Sequence, residues 1–278
     1  MYLPKHWVSE TSTGRLPDGR ETPLTAWGWG DDERSARDKA GERLQRLKQR
    51  LQRGDGFPEK YAYSDRPLKE EILETFAGRG AATGIVTRNA QGAQVLNTAK
   101  LLFLDIDLQP VSGWQRLLAR LGLSTDHSEG AVLARLKVTL QQYGKASFRI
   151  YRTAAGLRVL AVDREFDPAG REAQELMTAT GTDPAFTQLC KVQKSFRARL
   201  TPKPWRCGVT KPPGRFPRNT DTQRLFEEWR RDYQNACDRY ATCQILETIG
   251  SGRPTGSFAK LVELHDRQTR CTSHLPLA

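Results

Sequence analysis

Along the N-terminal stretch, apolar and polar residues alternate around Leu16-Pro17-Asp18-Gly19, a turn tetrapeptide, and the alternation resumes at Thr25-Ala26-Trp27-Gly28-Trp29. That pattern predicts a β-hairpin. The period then changes: Ala36, Ala40, Leu44, Leu47 and Leu51 recur every three or four residues behind Asp31 and Asp32 and stop at Gly54, which predicts a helix over 32–53. Leu68, Ile72, Leu73 and Phe76 follow Pro67 and predict a second helix, ending before Gly78. Strands are expected at 85–88 and 94–96 across Asn89-Ala90-Gln91-Gly92, and at 100–107. Beyond them the spacing predicts helices at 114–121 and 129–142, then a hairpin of 147–153 and 157–163 across Ala154-Ala155-Gly156. Asp167-Pro168 and Asp183-Pro184 read as N-cap and first-turn proline, so helices are expected at 168–180 and 184–193. A strand at 196–200, a long helix at 221–249 with Leu225, Trp229, Tyr233, Ala236, Tyr240, Cys243 and Leu246 as its buried stripe, a helix–helix linker at 250–257 and a last helix at 258–267 complete the chain.

These elements predict an α+β fold: a mixed central β-sheet holding 84–107, 147–163 and 195–201, with flanking helices. The expected organisation is an N-terminal hairpin-helix unit (1–80) packed on a core (81–205), with a proline-rich loop and C-terminal helices (206–278), all in one compact unit.

Charge narrows the partners. Forty-four Lys and Arg against 32 Asp and Glu leave a net +12, which favours a polyanion, either single-stranded nucleic acid or a nucleotide triphosphate. No apolar run approaches the roughly 18 residues of a membrane span, and residues 1–7 lack a signal-peptide core, so the expected compartment is cytoplasmic. Five cysteines without a C-x-x-C pair fit reduced thiols, and the four histidines do not fall at zinc-ligand spacing with them. Cys190 and Cys207 are expected to pack as small hydrophobes, and His127 and His265, in helical settings, to be structural or solvated.

The sharpest chemical signal is Leu101-Leu-Phe-Leu-Asp105-Ile-Asp107: a buried-strand pattern ending in two carboxylates two positions apart. Residues so spaced on a strand share a face, and two anions roughly 7 Å apart repel unless a cation compensates. Mg²⁺ or Mn²⁺ would do so, with coordination left for water and substrate phosphate. Nearby arginines closing a structural network are the alternative.

The apolar strand ending in Asp105 and Asp107, a helical insert, and then the hairpin Phe148-Arg-Ile-Tyr-Arg152-Thr153-Ala-Ala-Gly156-Leu-Arg158 resemble the archaeo-eukaryotic primase superfamily, especially its bacterial and plasmid primase-polymerase branch. Asp105 and Asp107 match the first motif of that family. Thr153, Gly156 and Arg158 follow its second motif approximately, with Arg158 where the family has a nucleotide-contacting histidine. The resemblance implies a primase-polymerase-like core, Asp105 and Asp107 as metal ligands, Arg152, Thr153 and Arg158 as nucleotide contacts, and divalent-metal-dependent nucleotidyl transfer in bacterial or mobile-element replication. It also implies a third catalytic aspartate on a later strand; Asp163 is the strand acid nearby, since the strand around 195–201 carries arginines instead. A catalytically inactive nucleic-acid-binding accessory protein and a metal-dependent phosphoesterase are the alternatives.

Between Pro184 and Thr220 there are nine Lys or Arg and no acid. Within this stretch Lys194, Phe196, Arg197, Arg199, Lys203, Trp205 and Arg206 interleave cations with aromatics, a mixture that suits phosphates and stacked bases of a single strand. Trp205 plugging the core and Arg197 and Arg199 pairing with acids is the structural alternative.

Overall fold

Alternation at the N-terminus does form the expected hairpin. The computed structural model describes residues 1–16, 18–57, 67–77, 82–108 and 128–278. β1 (His6–Arg15) pairs antiparallel with β2 (Glu21–Gly30) in unbroken register, from His6 opposite Gly30 to Arg15 opposite Glu21. α1 (Glu33–Gln52) is capped by the Asp32 carboxylate, which accepts from the Ser35 amide at 2.7 Å. It buries Ala36, Ala40, Leu44 and Leu51, and Leu44 and Leu51 cluster with Leu24 and Ala26. Helix and hairpin meet at Gly28, where a Cβ would fall 2.0 Å from the Ala36 carbonyl oxygen, so only a glycine admits this approach.

Contacts divide the chain into two compact units, 2–71 and 72–278. The second holds two four-stranded sheets. In the first sheet the order is β10-β7-β8-β6, from β10 (Cys243–Ile249), β7 (Phe148–Thr153), β8 (Gly156–Ala161) and β6 (Phe103–Asp107); in the other it is β3-β4-β5-β9, from β3 (Glu71–Ala77), β4 (Ala82–Arg88), β5 (Gln94–Thr98) and β9 (Phe196–Arg199). Every ladder whose register is described is antiparallel, so the single mixed sheet expected from the sequence is replaced by two sheets within the α+β class. One hydrophobic core joins them: Val86, Leu96, Phe196 and Ala198 from one sheet meet Phe103, Leu104, Val159 and Leu160 from the other. α2 (Glu129–Tyr143), α3 (Arg171–Ala179), α4 (Pro184–Gln193), α5 (Thr220–Cys237) and α6 (Gly256–Thr269) surround the sheets. No helix among the described residues is long and apolar enough to cross a membrane.

Two predicted helices are corrected. Residues from Glu71 to Ala77 are a strand, not a helix: Phe76 packs on the core while Leu73 is exposed, although residues three apart would share one face of a helix. The long helix expected to 249 ends at Cys237, and the β-branched run that follows becomes β10, the edge partner of β7. Its buried stripe is Phe226, Trp229, Tyr233 and Ala236, and Leu225 faces solvent. Residues 250–255 therefore link a strand to a helix. The helix expected at 114–121 lies outside the described residues.

Candidate phosphate and metal site

β6 enters the core with Phe103 and Leu104 fully buried and leaves it with Asp105 half-buried and Asp107 exposed. Residues facing each other across an antiparallel ladder share a face. Asp105 stands opposite Arg158 on β8, and Arg158 opposite Tyr151 on β7; Asp107 stands opposite Gly156, and Gly156 opposite Thr153. One sheet face therefore carries both aspartates, Arg158 and Thr153. Strand β6 comes so close at Gly156 that a Cβ there would lie 2.0 Å from the Ile106 carbonyl oxygen.

A small polar cleft opens on this face, lined by Asp105, Asp107, Thr153, Arg158, Arg199, Lys203, Arg206 and Thr242 among others. β9 brings Arg199, and the 3₁₀ turn Pro204–Arg206 brings Lys203 and Arg206 from the acid-free stretch. Arg158 is only 4% exposed. Its Nε lies 3.9 Å from Asp105 Oδ1, and its Nη1 donates to the Arg199 carbonyl oxygen at 2.9 Å and faces His265 Nε2 at 3.4 Å.

Like charges crowd on both sides of the cleft. Burial, then the charges of Asp105 and Asp183, push the Asp107 carboxyl above its ordinary value, against the opposing pull of Lys203 and Arg199. Burial, then Arg199 and Arg206, push the Lys203 ammonium down, and burial and Arg158 do the same to the Arg199 guanidinium. Such crowding is relieved by a ligand that carries both signs. Asp183 was legible only as a helix cap. Its carboxylate does accept from the Ala185 and Phe186 amides, yet its own amide donates to the Asp105 carbonyl at 3.0 Å, which sets a third acid beside the pair.

Other expected site residues lie elsewhere. Arg152 stands opposite Leu157, which pairs with Ile106, so it occupies the face away from both aspartates and forms an ion pair with Glu129 at 2.6 Å. Asp163 lies past the far end of β8, accepting from the Ser147 amide at 2.8 Å, and cannot join Asp105 and Asp107. Phe196 is fully buried in the core and offers no face to a base. Lys194 is exposed at the left-handed C-cap of α4, and Arg197 stands opposite Asn97; neither lines the cleft. Trp205, 48% exposed, is no core plug: its ring lies under the Lys203 ammonium at 5.4 Å. Cys190 and Cys207 are buried free thiols, as their spacing suggests, and burial pushes Cys190 up to about 12. His265, read from the sequence as structural or solvated, is fully buried and touches Arg158. His127 lies outside the described residues.

Among the described residues no group of three or more His, Cys, Asp or Glu is gathered to hold a metal ion. Two carboxylates suffice for a Mg²⁺ that keeps its waters and shares substrate phosphate oxygens, so the donor set of Asp105 and Asp107 fits a cation that arrives with a phosphate. No protein-family model, curated protein or solved structure matches the chain.

Proposed function

We propose that the cleft at the end of β6 binds a nucleotide triphosphate or a nucleic-acid phosphate together with Mg²⁺ or Mn²⁺, and that its chemistry is nucleotidyl transfer of the primase-polymerase kind. The observation that carries this reading is the pair of same-face carboxylates, Asp105 and Asp107, facing a rim of Arg158, Arg199, Lys203 and Arg206. In this reading Asp105 and Asp107 hold the cation, and the two arginines with Lys203 and Arg206 neutralise phosphate oxygens. A bound cation supplies charge stabilisation for an in-line displacement at phosphorus. A nucleic-acid-binding role without catalysis is the second reading. The position of Asp163 favours it, because the third carboxylate of the resembled family is not delivered there.

Titration calorimetry with Mn²⁺ and a deoxynucleoside triphosphate tests the site. Wild type is expected to bind the nucleotide with the metal present, and Asp105→Asn/Asp107→Asn to lose at least about tenfold in affinity. Identical traces for the two proteins would remove the metal site. Extension of a primer on a single-stranded template then separates the readings: product supports transfer, and salt-sensitive binding without product supports the accessory role.

A further inference from the structure

The inward side of Arg158 is held by two acceptors, the Arg199 carbonyl and His265 Nε2. A guanidinium carries only donors, so the nitrogen facing it must present its lone pair. His265 is thereby the neutral tautomer with its proton on Nδ1, and that proton is donated to Asp266 Oδ1 at 2.9 Å. Asp266 also accepts from the Tyr151 hydroxyl at 2.8 Å and pairs with Arg149. The imidazole has no exposed surface, and it packs edge-on against Tyr151 with ring centroids 5.0 Å apart and tilted against Phe103 at 5.5 Å. The charged and titratable groups around it are Arg158 from β8, Arg149 and Tyr151 from β7 and Asp266 on its own helix, with the thiols of Cys243 on β10 and Cys271 past the end of α6 nearby. A chain of contacts thus runs from Asp266 through His265 and Arg158 to Asp105, crossing from α6 to the mouth of the cleft.

Burial keeps the imidazole uncharged, and protonation would set a second cation against Arg158. An acceptor that cannot become a donor pins the guanidinium, and a pinned guanidinium meets phosphate without first losing its rotamer freedom.

We propose that His265 is the positioning residue of this cleft: a neutral imidazole, oriented by Asp266, that locks Arg158 in the rotamer presenting its guanidinium to a phosphate beside Asp105. The assignment of the ligand rests on the phosphate reading of the cleft; the lock itself does not.

Two variants and two readouts test it on the full chain. His265→Gln keeps an acceptor directed at Arg158, and His265→Leu keeps bulk without one. The first readout is the ¹⁵N–¹H spectrum of arginine side chains, with Arg158 assigned through Arg158→Lys. Resolved, slowly rotating guanidinium signals are expected in wild type and His265→Gln, and averaged signals in His265→Leu. The second is calorimetry with ATP and Mg²⁺, in which His265→Leu is expected to lose about 10- to 100-fold and His265→Gln far less. Should His265→Leu fail to fold, Asp266→Asn takes its place: imidazole ¹⁵N shifts are then expected to show a mixed tautomer, with Arg158 released. Arg158 signals unchanged in His265→Leu, or equal losses of affinity in both His265 variants, would overturn the lock. Released Arg158 in His265→Leu with a wild type that binds no nucleotide would uphold the lock and overturn the phosphate reading instead.

Discussion

Single residues decide this site through parity. Arg152 and Arg158 look equivalent along the chain, yet the β6–β8 register puts Arg158 opposite Asp105 and the β7–β8 register sends Arg152 to the other face. His265 and Asp266 gave no comparable signal, because a histidine followed by an aspartate in a helix has no spacing that marks it; only the packing of α6 on the sheet brings them behind Arg158. Their burial has a consequence for stability. Burial holds His265 below its ordinary value of 6.5, so as the pH falls the unfolded chain takes up a proton before the folded one does. Its contribution is fully present above 6.5 and is lost as the pH falls from there toward the folded value. Burial acts to raise Asp266, but hydrogen bonds from His265 and Tyr151 and the charge of Arg149 outweigh it, so its share is lost only below the ordinary 3.8. Thermal melts from about pH 8 to about pH 5 are therefore expected to show wild type losing its advantage over His265→Gln below about 6.5. A gap independent of pH would mean that the imidazole takes up its proton as readily in the fold as in the unfolded chain, and a gap that widens as the pH falls would mean that it is protonated in the fold.

At the scale of elements, the hairpin β7–β8 and its contact with β6 bear the cleft. Gly156 is the point of closest approach, and a methyl group there would strike the β6 backbone. Gly156→Ala is expected to destabilise the protein by about 3 kcal/mol in urea unfolding and to abolish metal-dependent nucleotide binding, because β6 must shift and carry Asp107 with it. Retained stability would show that β6 gives way without cost. The elements misread from sequence share a cause. The run Glu71-Ile-Leu-Glu-Thr-Phe-Ala spaces its apolar residues as a helix would, but it is short, and β4 offers an edge that only a strand can pair. Past Cys237 there is no glycine or proline to announce the end of α5, and the free edge of β7 recruits β10.

For the molecule as a whole, the basic surplus falls almost wholly within 72–278, and the acid-free stretch delivers Lys203 and Arg206 to the cleft. A single strand bound there would neutralise them, so Lys203→Glu/Arg206→Glu is expected to weaken binding and to lower the slope of log affinity against log salt by about 1.4, near 0.7 for each lost phosphate contact. An unchanged slope in the folded double variant would place the polyanion surface elsewhere. All the residues of the candidate site belong to the unit 72–278.

What the sequence determined by itself was local. Periodicity placed α1, the β1–β2 and β7–β8 hairpins, the caps at Asp32 and Asp183, and the buried strand ending in Asp105 and Asp107, because each depends on neighbours a few residues away. Only the tertiary structure decided which arginine meets those aspartates, that Asp163 does not, that Phe196 is core, and that His265 stands behind Arg158. Those outcomes depend on ladder register and helix docking between segments up to about a hundred residues apart, where a one-residue slip reverses the face of every side chain.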